Sequence, residues 1–161
     1  MRKRSAYRPK GANPLAHLMA IQGAALLSKS DALLRAELLA MAVSDITKGD
    51  MTSKPWTQVF DGINMAEEWC RMGIADGLGA IEELQTVILA VWDRHKATKS
   101  TALYADEVKA LREFVGCYVD LLQGVTHQQY FRAQMAVEER TRRVLAGERM
   151  AVARVVSEAT A

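Results

Sequence analysis

Three histidines and two pairs of adjacent glutamates are the residues best suited to metal binding or acid–base chemistry. The histidines lie in separate segments, none beside a cysteine or carboxylate at metal-ligand spacing: His17, His95 and His127. The acidic pairs are Glu67-Glu68 and Glu82-Glu83. Helical bundles that bind two metal ions take a Glu-x-x-His motif from two helices, and this sequence contains none. We predict polar surface histidines and solvated acidic faces, and the sequence leaves open only a composite site that folding would assemble.

Motifs of known catalytic machinery are also missing from the sequence. It has no Gly-x-Gly-x-x-Gly, no phosphate-binding loop ending in Gly-Lys-Ser/Thr and no Gly-x-Ser-x-Gly elbow. We therefore predict a protein that is not an enzyme, with no catalytic residue, no cofactor and no metal.

The first ten residues form a basic arm with five positive charges and no negative charge. Its candidate contact residues are Arg2, Lys3, Arg4, Tyr7, Arg8 and Lys10. The chain has 21 Lys+Arg and 19 Asp+Glu, so removing five arm cations leaves 16 basic against 19 acidic residues. Because such charges are costly to bury, the arm has three alternatives: a disordered tail, a phosphate binder, or a ligand of an acidic protein groove. Tyr7 could stack on a base, but an arm alone binds nucleic acid weakly and in a salt-sensitive way.

A second candidate surface is an apolar edge of the third predicted helix, formed by Met65, Trp69 and Met72. Exposed aromatic and methionine side chains favour protein interfaces, so this edge could bind a partner or form a dimer seam. Burial by another helix of the same chain is the alternative, and we favour it.

Apolar residues recur at helical spacing along most of the chain, and no segment alternates with a period of two. The three prolines lie outside the helix interiors, and Ser28 and Thr126 are suitable helix caps. These patterns predict an all-α bundle of five to six helices in one domain. The predicted helices are Pro14–Leu27, Asp31–Lys48, Lys54–Met72, Gly77–Lys96, Tyr104–Gln123 and His127–Ala146. One long helix over Pro14–Lys48 is the alternative to the first two, and we favour two.

The predicted organisation is a flexible arm over residues 1–12, a helical bundle over 13–147 and a tail over 148–161 that continues as helix or frays. No apolar run occurs over Ser5–Pro14 and no stretch of 18 apolar residues occurs, so we predict neither a signal peptide nor a membrane span. Cys70 and Cys117 lie at apolar helical positions and are predicted to be buried thiols in a reducing cytoplasm. In the last helix, Glu138–Arg142 and Glu139–Arg143 have the spacing of ion pairs.

The segment Arg2–Lys10 has the form Arg-Lys-Arg-Ser-x-Tyr-Arg-Pro-Lys and resembles the opening of small phage and prophage proteins of proteobacteria. The similarity extends to Ile63–Glu67 with Arg71–Ile74, to Leu103–Leu111 and to Met135–Arg143. This group has no established activity, so no functional residue carries over. The resemblance implies a phage-derived accessory gene that acts inside a bacterial cell, as a regulator, host-factor binder or defence antagonist.

Together these observations predict a cytoplasmic protein that works by binding a protein of the host or of the phage. The alternative is a nucleic-acid-associated factor in phage replication or transcription that uses the basic arm. The sequence leaves homo-oligomerisation open.

Overall fold

The computed structural model describes residues 23–147, and this part of the chain is all-α, as predicted. It folds into one domain of five helices: α1 (Lys29–Thr47), α2 (Ser53–Arg71), α3 (Leu78–Thr98), α4 (Ala105–Gly124) and α5 (His127–Leu145). The predicted arm, the predicted C-terminal tail and most of the predicted helix Pro14–Leu27 lie outside the described residues.

Local signals place the ends of these helices. The hydroxyl of Ser28 accepts the Asp31 N–H at 3.1 Å, and Thr126 accepts that of Gln129 at 3.2 Å, so both predicted caps are confirmed. Gly49 has a φ of 94°, which favours glycine and stops α1. Five of the six predicted helices agree with the observed ones to within two residues at each end.

The end of the first predicted helix is wrong. Leu26 forms an isolated antiparallel bridge with Thr126, so the chain is extended where helix was expected. The N–H of Leu27 donates to the carbonyl of Val125 and the N–H of His127 donates to that of Ala25, both at 3.0 Å. The corner between α4 and α5 exposes backbone groups that no helix satisfies, and the segment before α1 supplies their partners.

Helix α2 is the centre of the domain and contacts the other four helices, whereas α1 packs only on α2 and α4 to a substantial extent. Two aromatic clusters fill the core around α2. Trp56, Phe60 and Trp92 pack at one end, with the two tryptophan rings 5.5 Å apart. At the other end the rings belong to Trp69, Phe114, Tyr118 and Tyr130.

Close approach of α1 to α2 depends on Gly62. A Cβ at this position would lie 3.1 Å from Cδ1 of Leu39 in α1 and 3.7 Å from the ring of Phe114 in α4. Both neighbours are buried. Because the side chain of Gly62 is a single hydrogen atom, helices α1, α2 and α4 can pack closely at this point without a cavity.

Candidate partner-binding surfaces

The predicted apolar edge of the third helix is not a surface in the fold. Met65 is 5% exposed and Trp69 is fully buried, with its ring centroid 5.5 Å from that of Tyr118 and 5.9 Å from that of Tyr130. Only Met72, at 37% exposure, reaches solvent. Met65 and Trp69 are instead buried within the chain, which is the alternative that we favoured. Helices α4 and α5 cover this side of α2.

The predicted arm contacts lie outside the described residues: Arg2, Lys3, Arg4, Tyr7, Arg8 and Lys10. His17 lies there too. The other two histidines are on α3 and α5, where His95 Nδ1 is 2.9 Å from the carbonyl of Ser100 and His127 is exposed. Within residues 23–147, no three His, Cys, Asp or Glu side chains are grouped as metal ligands.

The Glu67-Glu68 pair was predicted to be solvated, and for Glu67 that prediction is wrong. Its side chain is fully buried, and Oε1 accepts a hydrogen bond of 2.8 Å from Nε of Arg71 and lies 2.8 Å from Nη2 of the same guanidinium. Oε2 accepts from Gln85 in α3 at 3.0 Å and from Arg140 in α5 at 3.4 Å. Arg140 also pairs with Glu68. A buried carboxylate needs such partners, so this network ties α2 to α3 and α5 instead of presenting a charge to a ligand.

A sequence signal for this burial exists. Glu67 follows Ile63 by four residues and adjoins Ala66, so it falls on the apolar stripe of α2. A carboxylate on that stripe with Arg71 four residues later is the pattern of a buried ion pair.

The predicted ion pairs of the last helix are partly replaced. Arg142 pairs with Glu139 at 2.8 Å, three residues away, and Glu138 accepts instead from Gln134 at 2.9 Å. Glu82 and Glu83 of α3 are exposed, as predicted.

Arg35 of α1 lies near two tyrosines, the buried Tyr118 and the half-buried Tyr130. Its guanidinium donates to the Tyr130 hydroxyl at 2.6 Å and lies 4.0 Å from the centre of that ring. Burial raises the pKa of Tyr118 and that of Tyr130, although the charge of Arg35 opposes the effect. Both phenols are therefore neutral at physiological pH, and Arg35 is held against the core.

A groove of about 730 Å³ runs between the end of α2, helix α3 and helix α4. Apolar side chains form its floor: Ile74, Ile81, Leu84, Val87, Phe114 and Leu121. Four exposed carboxylates stand along it: Asp76, Glu83, Glu113 and Asp120. No lysine or arginine of the described chain lines it. Sequence reasoning missed this groove because three separate segments supply its walls.

Both cysteines line this groove as free thiols. Cys117 is exposed, so its predicted burial is wrong, while Cys70 is partly buried with its Sγ 3.7 Å from the carbonyl of Asp76. Burial, Asp76 and Glu67 together raise the pKa of Cys70. A raised pKa disfavours the thiolate, which is the nucleophilic form, so the groove offers apolar contact and negative charge instead of an activated sulfur.

The outer face of α1 is the second open surface. Leu34, Leu38 and Met41 follow each other at i, i+4 and i+7 and are 56%, 44% and 62% exposed. Because α1 packs mainly on α2 and α4, its buried side is supplied by other residues, such as Ala36, Leu39 and Val43. Helix α1 is thus apolar on two sides. On α5, Phe131 and Met135 form a smaller exposed pair four residues apart.

None of the described helices combines the length and the apolar character that crossing a membrane requires. Comparison with known proteins finds no matching family model, no matching curated protein and no matching solved structure. The functional inference therefore rests on this chain's own residues.

Proposed function

We propose that this chain is an accessory protein of phage origin that binds a protein of the host or of the phage through the outer face of α1. The observation that carries the binding role is the exposed row Leu34, Leu38 and Met41. The phage context rests on the resemblance of Arg2–Lys10 to phage and prophage proteins.

Three large apolar side chains at this spacing are the pattern by which a helix docks into a groove of a partner. The row rises about 10 Å along the helix, two turns, which is enough for three anchor side chains. Clustered exposed apolar area of this kind marks interaction sites more often than isolated exposed leucines do.

Charges on α1 indicate the chemistry of the partner. The helix carries three carboxylates, Asp31, Glu37 and Asp45, against the two cations Lys29 and Arg35. Arg35 is engaged by Tyr130, which leaves Lys29 as the cation at the start of the helix. The fitting partner is therefore a protein with an apolar groove and a basic rim.

The test is recovery of partners from lysogenic or infected cells by the tagged full-length chain, with and without nuclease. The variant is Leu34→Gln with Met41→Gln, which keeps helix-forming residues and removes two exposed anchors. We expect partner recovery to fall at least tenfold, since hot-spot side chains dominate binding. The matched control is Leu33→Gln, an exposed leucine of the same helix turned about 100° from Leu34, which should keep wild-type recovery.

Equal recovery by the double variant and the control would contradict the proposal. Loss of the partner on nuclease treatment would favour the alternative, a nucleic-acid-associated factor that uses the arm. A dimer in size-exclusion chromatography that dissociates in the double variant would assign the face to a second copy of the chain.

A further inference from the structure

We propose that the acidic groove between α2, α3 and α4 binds this chain's own basic segment, Arg2–Lys10. This inference does not depend on the proposed role of α1, which lies on a different surface. The groove has an apolar floor and four carboxylates along its walls, and no basic residue of the described chain neutralises them from within it.

Charge complementarity identifies the occupant. The arm has five cations and no carboxylate, and the groove residues have four carboxylates and no cation. Glu113 has one competing partner, Lys109, at 3.7 Å, with both side chains more than half exposed. Such an exposed pair is weak, so an arm cation can replace it. Asp76, Glu83 and Asp120 have no ion-pair partner among the described residues.

The apolar floor also matches the arm. Ala6, Tyr7 and Pro9 interrupt the cations of the segment. A groove with purely polar walls would accept any polycation, whereas this floor favours a segment that carries an aromatic ring between its charges. Phe114 and Leu121 of α4 and Leu84 of α3 offer that ring an apolar surface.

The connection between arm and groove is short. The described chain begins at Gly23, where a Cβ would lie 3.4 Å from Gln128 of α5. Two residues later, the carbonyl of Ala25 accepts a hydrogen bond from the N–H of His127. The N–H of Leu27 donates to the carbonyl of Val125, the neighbour of the groove residue Gly124. The chain thus approaches the bundle at the Gly124 end of the groove.

Residues 11–22 separate the arm from this point. Twelve residues span about 18 Å as a helix and at most about 43 Å when extended. Along α4 the groove runs from Gly124 to Ala110, a rise of about 21 Å. Fully extended, this connection is long enough to span the length of the groove. A short tether also gives an effective concentration in the millimolar range, so even a weak contact is occupied.

The structure supplies a reporter for this contact, because the exposed thiol of Cys117 lies in the groove. We would introduce Ser5→Cys in the middle of the arm and Cys70→Ser to leave one groove thiol. Mild oxidation of the full chain with oxidised glutathione should link position 5 to Cys117 within one molecule. Peptide mass spectrometry and a non-reducing gel would identify the link.

The decisive comparison is the cross-linking rate before and after the carboxylates of the groove walls are replaced by neutral amides. Asp120→Asn with Glu113→Gln should slow cross-linking about fivefold or more, since an exposed ion pair changes an equilibrium by about two- to fivefold. The matched control is Glu82→Gln with Asp106→Asn, two exposed carboxylates of the same helices outside the groove, which should retain the original rate. Each rate is normalised to alkylation of Cys117 by iodoacetamide, which corrects for changes in thiol reactivity.

Three results would overturn the proposal: no link within one molecule, a rate that the wall substitutions leave unchanged, or links between molecules that grow with protein concentration. The last would mean that the arm of another copy is the ligand. None of these results bears on partner binding by α1, so the two proposals fail separately.

Discussion

At the scale of single residues, burial decides what a charged side chain does. Glu67 and Glu82 look alike in the sequence, since each opens a pair of glutamates within a helix. Glu67 lies under α3 and α5 and binds two arginines, whereas Glu82 faces solvent. Sequence reasoning treated both as solvated because it does not show which helices lie over a position. Trp69 illustrates the same limit, since only the packing of α4 and α5 distinguishes a core ring from an interface ring.

We expect Glu67→Gln to lower the free energy of unfolding by about 3 kcal/mol, because the substitution removes the buried carboxylate to which Arg71 and the largely buried Arg140 both donate. This loss of stability is at the lower end of the range for breaking a buried ion pair, because Arg71 is 39% exposed and can be hydrated by solvent. Urea denaturation followed by circular dichroism would measure it.

Glu82→Gln is the matched control and should change the free energy of unfolding by no more than about 0.5 kcal/mol. If Glu67→Gln is equally harmless, the network does not stabilise the fold.

At the scale of helices, the sequence was a good guide because the relevant signals are local. Ser28 and Thr126 cap, Gly49 breaks, and apolar residues recur every three or four positions, so five helices were predicted nearly to their ends. The relative placement of the helices was not predictable in this way. Gly62 is an example, because its contact with Leu39 depends on how α1 crosses α2.

Gly62→Ala should lower the free energy of unfolding by about 1 kcal/mol, since steric overlap with buried Leu39 outweighs the gain in helix propensity. Thermal and urea unfolding would measure the change.

The control for this substitution is Gly116→Ala in α4, where the added Cβ would have no atom within 4 Å apart from its chain neighbours and the nearby backbone of its own helix. It should raise the free energy of unfolding by about 0.5–1 kcal/mol through helix propensity alone. If both substitutions stabilise the protein equally, the interface between α1 and α2 has space for a methyl group at position 62, and the steric argument is wrong.

At the scale of the whole molecule, charge and apolar surface are segregated. The basic arm, the acidic groove and the apolar outer face of α1 occupy different parts of one small chain. Composition predicted the first of these. The other two required the fold, because the groove is shared among three segments and the outer face of α1 becomes visible only once its inner face is known.

Acid stability is a property of the whole domain to which the Arg94–Glu107 pair contributes. The guanidinium of Arg94 binds both carboxylate oxygens, at 2.8 and 2.6 Å, and this interaction holds the pKa of Glu107 below its usual value of 4.5. A lowered pKa means that the unfolded state binds protons first as the pH falls. The stabilisation is therefore complete above 4.5 and is lost as the pH drops through the folded pKa.

Glu107→Gln should cost about 2 kcal/mol of unfolding free energy at neutral pH, as expected for a charge-assisted hydrogen-bonded pair. The gap between wild type and variant should then close as the pH falls below 4.5. Urea titrations at a series of pH values would measure it. The control, Glu139→Gln, breaks the exposed ion pair with Arg142 and should stay within about 0.5 kcal/mol of wild type throughout. A constant gap for Glu107→Gln would refute the linkage.

The bridge between Leu26 and Thr126 also has a consequence for the order in which the chain folds during synthesis. Its two residues lie 100 positions apart in the chain, so during synthesis the first exists long before the second. Helix α1 likewise cannot complete its packing until α4, one of its two principal neighbours, has been synthesised. Residues 25–27 and helix α1 are therefore synthesised well before their later partners in the bundle. The hydrogen bonds of Ala25 and Leu27 can form only after residues 125–127 have been made.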